Sequence, residues 1–578
     1  MSTEENPAVV AARKAQAKVE ACLDEGRSFR LEAGAGAGKT YSLVAALKKL
    51  IQERGRSLLQ SGKRVACITF TEVARDEIAQ EIEAHPAILV DTIHGFSWGF
   101  MAQFQHSLRE LIATMEHRAE KIAEGGGLGE KAVTYDLGFF RVTDDQIALH
   151  HDDVPWLMSR LIANEKFRRL LTQQFPVIFI DEYQDTDSDF MAALSEHVFA
   201  HDQGPLVGLF GDHWQTIYRK DYALADYAIE GIDKGSNFRS VQCIVDVLNA
   251  LRPELEQVVR DPKAPGEARL FHSNLHVGER AVGAHVKNDL LPDQAQATRE
   301  KLMARLEREG WDRASTKILM LTHSVLAAEQ GYAGIAKIFQ GRTEQFVKLE
   351  EPTLALFAQT VEPMCAAYQA ANYGKMFELH GSGPAIRSHD DKVVWRTDMD
   401  ALVSLRLTGT IGDVVDHLKV TRKPGLPQRL LQREEQLAAL AGASVPEDQG
   451  ALGRYQALRE IPYAEVLEVV KFIERSTPFA TQHGVKGAEF ENVLVVLGGG
   501  WNQYNWPQLF ELLETNALTN KNTGGFYRAR NLFYVSISRP KKRLAVLVTQ
   551  TLSPIGLKAA NRLFGNEGVE ALALDQLQ

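Results

Sequence analysis

The sequence predicts an α/β protein in which parallel sheets are flanked by helices, and three observations carry that prediction. A short apolar segment, Phe29 to Leu31, runs into a loop of alternating glycine and alanine and then into an apolar-periodic helix. Further apolar runs at 63–70 (KRVACITF), 87–90, 175–180 (FPVIFI) and 206–210 are separated by helical stretches and read as strands buried on both faces. Each run ends in polar or acidic residues, which places the chemistry at the carboxyl ends of the strands.

The opening helix, about 8–25, precedes the loop 33–40, AGAGAGKT. This composition lets phosphate oxygens approach a row of backbone N–H groups that side chains would obstruct, and the helix start favours negative charge. The backbone of Ala33, Gly34, Ala35, Gly36, Ala37 and Gly38 is the expected cradle of a nucleotide. Lys39 is expected to reach the β- and γ-phosphates and the Thr40 hydroxyl to ligate Mg²⁺. Ala33 stands where the usual first glycine would be, and a small residue fits there.

The run 63–70 passes through Thr69-Phe70-Thr71 into a helix holding Ala74 to Ile78, and the next ends in Asp91-Thr92-Ile93-His94-Gly95-Phe96. From about 97 to 167 helical periodicity takes over, broken by glycines at 125–129, which predicts an inserted helical subdomain. The α/β pattern resumes at 175–180, and that strand ends in Asp181-Glu182-Tyr183-Gln184-Asp185-Thr186. Such carboxylates can cap the following helix. With a phosphate loop in the same chain the catalytic reading is preferred: Asp181 holds Mg²⁺, and Glu182 orients and deprotonates the attacking water.

The run 206–210 leads into Gly211-Asp212-His213-Trp214-Gln215-Thr216-Ile217-Tyr218, followed by Asn237-Phe238-Arg239-Ser240 and a helix through Leu251. Residues 253–310 read as polar and mixed, with Pro262 and Pro265 marking a loop. A strand at 317–321 restarts a sheet; 347–476 is helical, with a linker at 423–427; strands at 493–497 and 543–548 close the pattern.

At 578 residues the chain exceeds one hydrophobic core, and about three to four folding units are expected. It is 45% hydrophobic and 24% charged, ordinary globular material. No apolar run is long enough to span a bilayer and the start, MSTEENPAVV, has no signal-peptide core, so the expectation is a cytoplasmic protein with no membrane partner. Cys22, Cys67, Cys243 and Cys365 are scattered and read as free buried thiols. A net charge of −10 argues against indiscriminate coating of nucleic acid but leaves room for a local basic channel.

Eight short segments stand in a fixed order, and together they resemble the UvrD/Rep/PcrA family of superfamily 1A DNA helicases over most of residues 16–545. Gly34 to Thr40 resembles the phosphate loop, Thr69-Phe70-Thr71 with Ala74 motif Ia, and Thr92 with His94 the TxH segment. DEYQDT at 181–186 is similar to motif II, Gly211-Asp212 with Gln215 and Tyr218 to motif III, and Asn237-Phe238-Arg239-Ser240 to motif IV. His483, Lys486-Gly487 and Glu489-Phe490 resemble motif V, and Tyr534-Val535 with Ser538-Arg539 resembles motif VI. The chain departs from the family where Tyr218 is followed by Arg219-Lys220-Asp221 without the aromatic step, and where Arg528-Ala529-Arg530-Asn531 lacks an acidic residue.

The resemblance implies two RecA-like lobes with ATP between them and single-stranded or tailed DNA across their tops, each lobe carrying a helical insertion. Lobe 1 is expected at 1–96 and 168–236 with its insertion at 97–167, lobe 2 at 237–346 and 477–555 with its insertion at 347–476, and a tail at 556–578. Lys39, Thr40, Asp181, Glu182 and the γ-phosphate sensor Gln215 would come from lobe 1; Arg239 and Arg539 would come from lobe 2 and stabilise transition-state charge. Phe238 would lie against the adenine and Glu489 would contact the ribose or the DNA-coupling loop. Gln16 would read the adenine edge, or it is a solvated helix position. Phe70 and Tyr218 are the base-stacking candidates, with core aromatics as the alternative; Thr92, His94 and His483 complete the DNA set.

The implied activity is that of an ATP-dependent 3′ to 5′ helicase or translocase. A DNA-stimulated ATPase that senses DNA and regulates a bound partner is the alternative. The compact second insertion and the ending RNLFYVSISRPKKRL at 530–544 resemble the helicase subunit of Gabija-type anti-phage systems, which pairs with a separate OLD-type nuclease.

Overall fold

The first helix, Pro7–Glu25, starts where the Asn6 side chain accepts from the Ala8 and Val9 N–H groups and stops at Gly26 in a left-handed conformation. That turn feeds β1 (Phe29–Ala33), the phosphate loop, and the helix Lys39–Gln60. The pattern then repeats through β2 (Val65–Thr69) with helix Glu72–Glu81, and β3 (Ile88–Thr92) with helix Ile93–Met101. The computed structural model describes residues 6–135, 140–199, 204–217, 227–283, 286–321, 326–327, 330–340, 342, 344–347, 349–381, 386–440, 450–474, 478–482, 484–499 and 504–572.

The stretch read as wholly helical contains a small three-stranded sheet: β4 (Ala132–Tyr135) pairs parallel with β6 (Gln146–Leu149), which pairs antiparallel with β5 (Arg141–Val142). Val133, Ile147 and Leu149 are buried while Ala132 and Gln146 are exposed. That period-two signal spans only four residues at a time, too short to stand out among helices.

β7 (Val177–Asp181), β8 (Leu206–Gly211) and β9 (Glu230–Lys234) complete a sheet ordered β3-β2-β7-β8-β1-β9. Every neighbouring pair in it is parallel. Strand residues alternate between two cores: Val177 and Phe179 pack with Leu31, Leu43 and Leu47 on one face, whereas Ile178 and Ile180 pack with Phe96, Phe100 and Leu157 on the other. With all strands parallel, the loops after β3, β2, β7, β8, β1 and β9 emerge along one edge in that order.

β10 (Ser236–Asn237) pairs parallel with β11 (Val258–Val259). A second six-stranded sheet has the order β14-β13-β15-β16-β12-β17. Its strands are β12 (Glu267–His272), β13 (Thr316–Met320), β14 (Phe479–Thr481), β15 (Phe490–Leu497), β16 (Pro540–Val548) and β17 (Val569–Ala571), and β13 runs parallel to both β14 and β15. The reading of 253–310 as merely polar is corrected by β12 and the helix Pro292–Arg308. That helix hides few apolar anchors, Leu302, Met303 and Leu306, behind a charged outer face.

Contacts divide the chain into two compact units. Unit 1 holds Met1–Leu270, Gln503–Leu544 and Leu552–Val569; unit 2 holds Phe271–Asn502, Ala545–Thr551 and Glu570–Gln578. Unit 2 buries a large core built from Phe271, Ile318, Leu494 and Val496 together with helix residues such as Phe357, Met399, Leu418 and Val466. Among the described residues no helix is long and apolar enough to cross a membrane. The four cysteines are free; Cys22, Cys67 and Cys365 are buried.

Candidate functional site

The glycines of the phosphate loop are demanded by geometry. Gly36 and Gly38 both have φ of 74°, a left-handed backbone that costs any residue with a Cβ. A Cβ at Gly34 would lie 2.5 Å from Gln257 Nε2, and one at Gly36 would lie 2.8 Å from Arg239 Cβ. The loop carbonyls are tied to the protein. Asn237 Nδ2 and Gln257 Nε2 each donate to the Ala35 carbonyl at 3.1 Å, Ser236 Oγ donates to Ala37, and Lys234 Nζ donates to Gly38 at 2.7 Å. The helix Lys39–Gln60 begins with no side-chain cap, which leaves its first N–H groups for an anion. The Ala35 N–H donates to the Tyr534 hydroxyl at 3.0 Å.

Lys39 Nζ meets Glu182 Oε2 at 2.9 Å. Burial alone would lower the Lys39 pKa, but Glu182, Asp212 and Asp181 outweigh it and raise it, so the ammonium stays charged. Asp181 is buried at the end of β7. Glu182 itself sits at φ 49°, ψ 47°, a left-handed geometry of a kind that costs about 1–3 kcal/mol and persists where the surroundings impose it. Gln184 contributes to that imposition: its Nε2 donates to Glu182 and its Oε1 accepts from the Asp212 N–H. Gln215 Nε2 donates to Asp212 Oδ2 at 2.8 Å, and Arg539 Nη2 lies 3.4 Å from Gln215 Oε1.

Beneath these groups lies a buried ion network. Arg252 donates to Asp212 at 2.7 Å and to Glu32 at 2.9 Å. Glu32 also meets His213 Nδ1 at 2.7 Å and accepts from the Tyr183 hydroxyl at 2.6 Å. Burial would raise the Glu32 carboxyl, yet His213, Arg252 and Tyr183 hold it at about 2. Glu32, Asp212 and His213 lie within metal-ligating range of one another. The Arg252 guanidinium already supplies the positive charge between the two carboxylates, so the cluster reads as an ion-pair network rather than a metal site. Arg530 stacks 3.6 Å from the Trp214 ring centre, and burial lowers its pKa to about 10.

Arg239 and Arg539, assigned to lobe 2 in the sequence, fall by their contacts in unit 1 with the phosphate loop. Arg239 Nη1 donates to the Ser538 carbonyl at 3.1 Å, and Arg539 Nε donates to the Val535 carbonyl at 2.8 Å. Burial, and then the Arg239 charge, lower the Arg539 pKa to about 9. A buried guanidinium beside a second, half-buried one forms a site that an anion would relieve.

Of the other nucleotide candidates, Phe238 is 43% exposed and its ring lies against the Gly38 end of the loop. Gln16 is half-buried, donates to Glu20, and keeps a buried Oε1 acceptor without a hydrogen-bond partner among the described residues. Thr40 is exposed in the first turn of its helix. A hydroxyl and a carboxylate, as Thr40 and Asp181 offer, are the hard oxygen donors that suit Mg²⁺. Glu489 is exposed in unit 2 at the entry to β15.

Phe70 follows β2 and is 47% exposed. Thr92 Oγ1 accepts from the Gly95 N–H and caps the helix after β3. His94 stacks on His151 with ring centres 3.4 Å apart; burial first and His151 second lower its pKa to about 4, so it is neutral near pH 7. Tyr218 and His483 lie outside the described residues.

Sequence reasoning passed over Glu32, Lys234, Arg252 and Gln257. A charged residue inside or just beyond an apolar run was the available signal for Glu32 and Arg252; nothing local marks Lys234 or Gln257.

Residues 16–221 match a family model described as AAA domain. Together with the phosphate-loop geometry, this match supports a nucleotide-binding domain over that region, and the ordered motifs within it resemble those of the UvrD-like helicases. Over 660 aligned residues the chain is similar to "Gabija protein GajB" of Bacillus cereus (strain HuB5-5), at 21% identity covering 91% of this chain and 93% of that protein.

Proposed function

We propose that the protein is an ATP-dependent 3′ to 5′ DNA helicase or translocase, organised as the two RecA-like lobes and two insertions drawn from the sequence. The observation that supports this best is the Lys39–Glu182 pair at 2.9 Å, held by a strained Glu182 backbone. A nucleotide phosphate competes for Lys39, and its arrival releases the Glu182 carboxylate to orient and deprotonate a water. Gln215, tied to Asp212 and close to Arg539, would report the γ-phosphate to the arginines. Mg²⁺, held by Thr40 and Asp181, would neutralise charge on the β- and γ-oxygens. Arg239 and Arg539 would steady the charge that develops on transfer. On the DNA side, Phe70, Thr92 and His94, with Tyr218 and His483, would carry the strand.

The likeness to a Gabija protein supports a role in anti-phage defence, in complex with a separate nuclease. The second reading, a DNA-stimulated ATPase that senses DNA and regulates that nuclease, is favoured by Arg219-Lys220-Asp221 replacing the aromatic step after Tyr218. Strand displacement on a 3′-tailed duplex, measured beside the ATPase rate with and without single-stranded DNA, separates the two. Hydrolysis without displacement selects the sensor; the absence of DNA stimulation discards both. Co-expression with the neighbouring gene product followed by size exclusion tests the complex, and a helicase that elutes alone would sink that part.

A further inference from the structure

Lys234 ends β9 in register with Ala33, the first residue of the phosphate loop. Its side chain is buried, with 1% of the residue exposed. Nζ donates to the Gly38 carbonyl at 2.7 Å and to Ser42 Oγ at 2.8 Å. An ammonium has three donors, and among the described residues no carboxylate pairs with this one. The contrast with its neighbours is informative. Lys39 has Glu182, and Arg252, equally buried, has both Asp212 and Glu32. A buried charge without a counter-charge costs several kcal/mol, and burial lowers the Lys234 pKa only to about 8, which leaves most of the population protonated near neutral pH. A cation kept at that cost calls for an anion, and the surface it lies behind is the loop that takes polyphosphate.

We propose that Lys234 is a second cation of the nucleotide site, set behind the phosphate loop, whose charge is balanced by the polyphosphate of the bound nucleotide rather than by a carboxylate of the protein. This rests on the nucleotide reading of the loop. Because the residue does not reach through the loop, it acts by field across a short low-dielectric path and by fixing the Gly38 carbonyl.

The test is a charge series. Binding of AMP, ADP and ATP to the full-length protein is measured by calorimetry for wild type, Lys234→Met and Lys234→Gln, with the melting temperature of each protein taken empty and with saturating ATP. The expected result is a loss of affinity that grows with phosphate number, tenfold or more for ATP and little for AMP, in both variants. The empty Met variant should melt no lower than wild type, while its gain on adding ATP shrinks. Gln keeps an amide donor for the Gly38 carbonyl, so full recovery of ATP affinity by Gln would show that Lys234 is only a strut. An equal loss for AMP and ATP, or no loss, would also overturn the proposal. A wild type that binds no ATP at all fails the nucleotide reading itself, a result distinct from any of these.

Discussion

One edge of the parallel sheet in unit 1 carries two chemistries. After β7, β8, β1 and β9 come Asp181, Asp212, the phosphate loop and Lys234, most of them buried and tied together by charge. After β2 and β3 come Phe70, Thr92 and His94, which are neutral and partly exposed. The helices behind the second group are capped by their own threonines, Thr71 to the Ala74 N–H and Thr92 to the Gly95 N–H. The helix behind the phosphate loop has a glycine in the capping position and no side-chain cap. These strand–helix connections therefore differ in how their helices begin: where the N–H groups are satisfied internally the turn is a scaffold, and where they are left open it can take an anion. Fixed charges would suit the polyphosphate of the proposed nucleotide, and the exposed face of Phe70 would suit the exchangeable bases of the proposed strand.

The largest expected effects lie on the charged half. Lys39→Ala should abolish ATP hydrolysis, whereas Glu182→Gln should bind ATP and then stall, because only water activation is removed; single-turnover and binding assays distinguish these outcomes, and wild-type turnover by Glu182→Gln would break the assignment. Arg239→Ala and Arg539→Ala should lower kcat at saturating ATP by about 10³- to 10⁵-fold, the range of a transferred arginine, with binding nearly kept. Either arginine losing affinity while keeping kcat would move it from the transition state to ground-state binding.

The neutral half should answer differently. Phe70→Ala should weaken single-stranded DNA binding by ~1–3 kcal/mol, about 5- to 140-fold, if one base is stacked there, and should leave the DNA-free ATPase rate unchanged. A fall in that basal rate would erase the distinction between the halves. Thr71→Ala should cost only stability, about 1 kcal/mol for a lost cap, read from denaturant melts.

The last effect concerns pH and is felt only in acid. The folded-state pKa of His94 is about 4, below its ordinary value of 6.5, so between those values the unfolded chain binds the extra proton. Wild type should therefore lose stability relative to His94→Phe as pH falls from about 6.5 to 4, and the two should run in parallel above pH 7. A gap between the two that does not widen as pH falls from about 6.5 to 4 would point to packing rather than protonation.

Local backbone demands were legible in the sequence by itself. Glycines in the loop leave backbone N–H groups open to an anion, apolar runs such as FPVIFI read as buried strands, and an acidic pair directly after such a run lies at the strand edge; each follows from residues adjacent in the chain, while the positive φ of Gly36 and Gly38 came from the structure. The α/β class with parallel sheets followed from the same short-range signals. The tertiary structure decided what depends on partners far along the chain. Glu32, Asp212 and Arg252 become one network only because β8 sits beside β1, an order the linear sequence does not announce. The small sheet of β4, β5 and β6 was hidden because four-residue strands carry too little periodicity. Only packing revealed that Arg239, Arg539 and Tyr534 join the unit of the phosphate loop and that Lys234 is buried without a carboxylate partner among the described residues. A charge has no preferred partner until folding removes the water around it, and which groups lose their water together is a property of the fold rather than of any stretch of sequence.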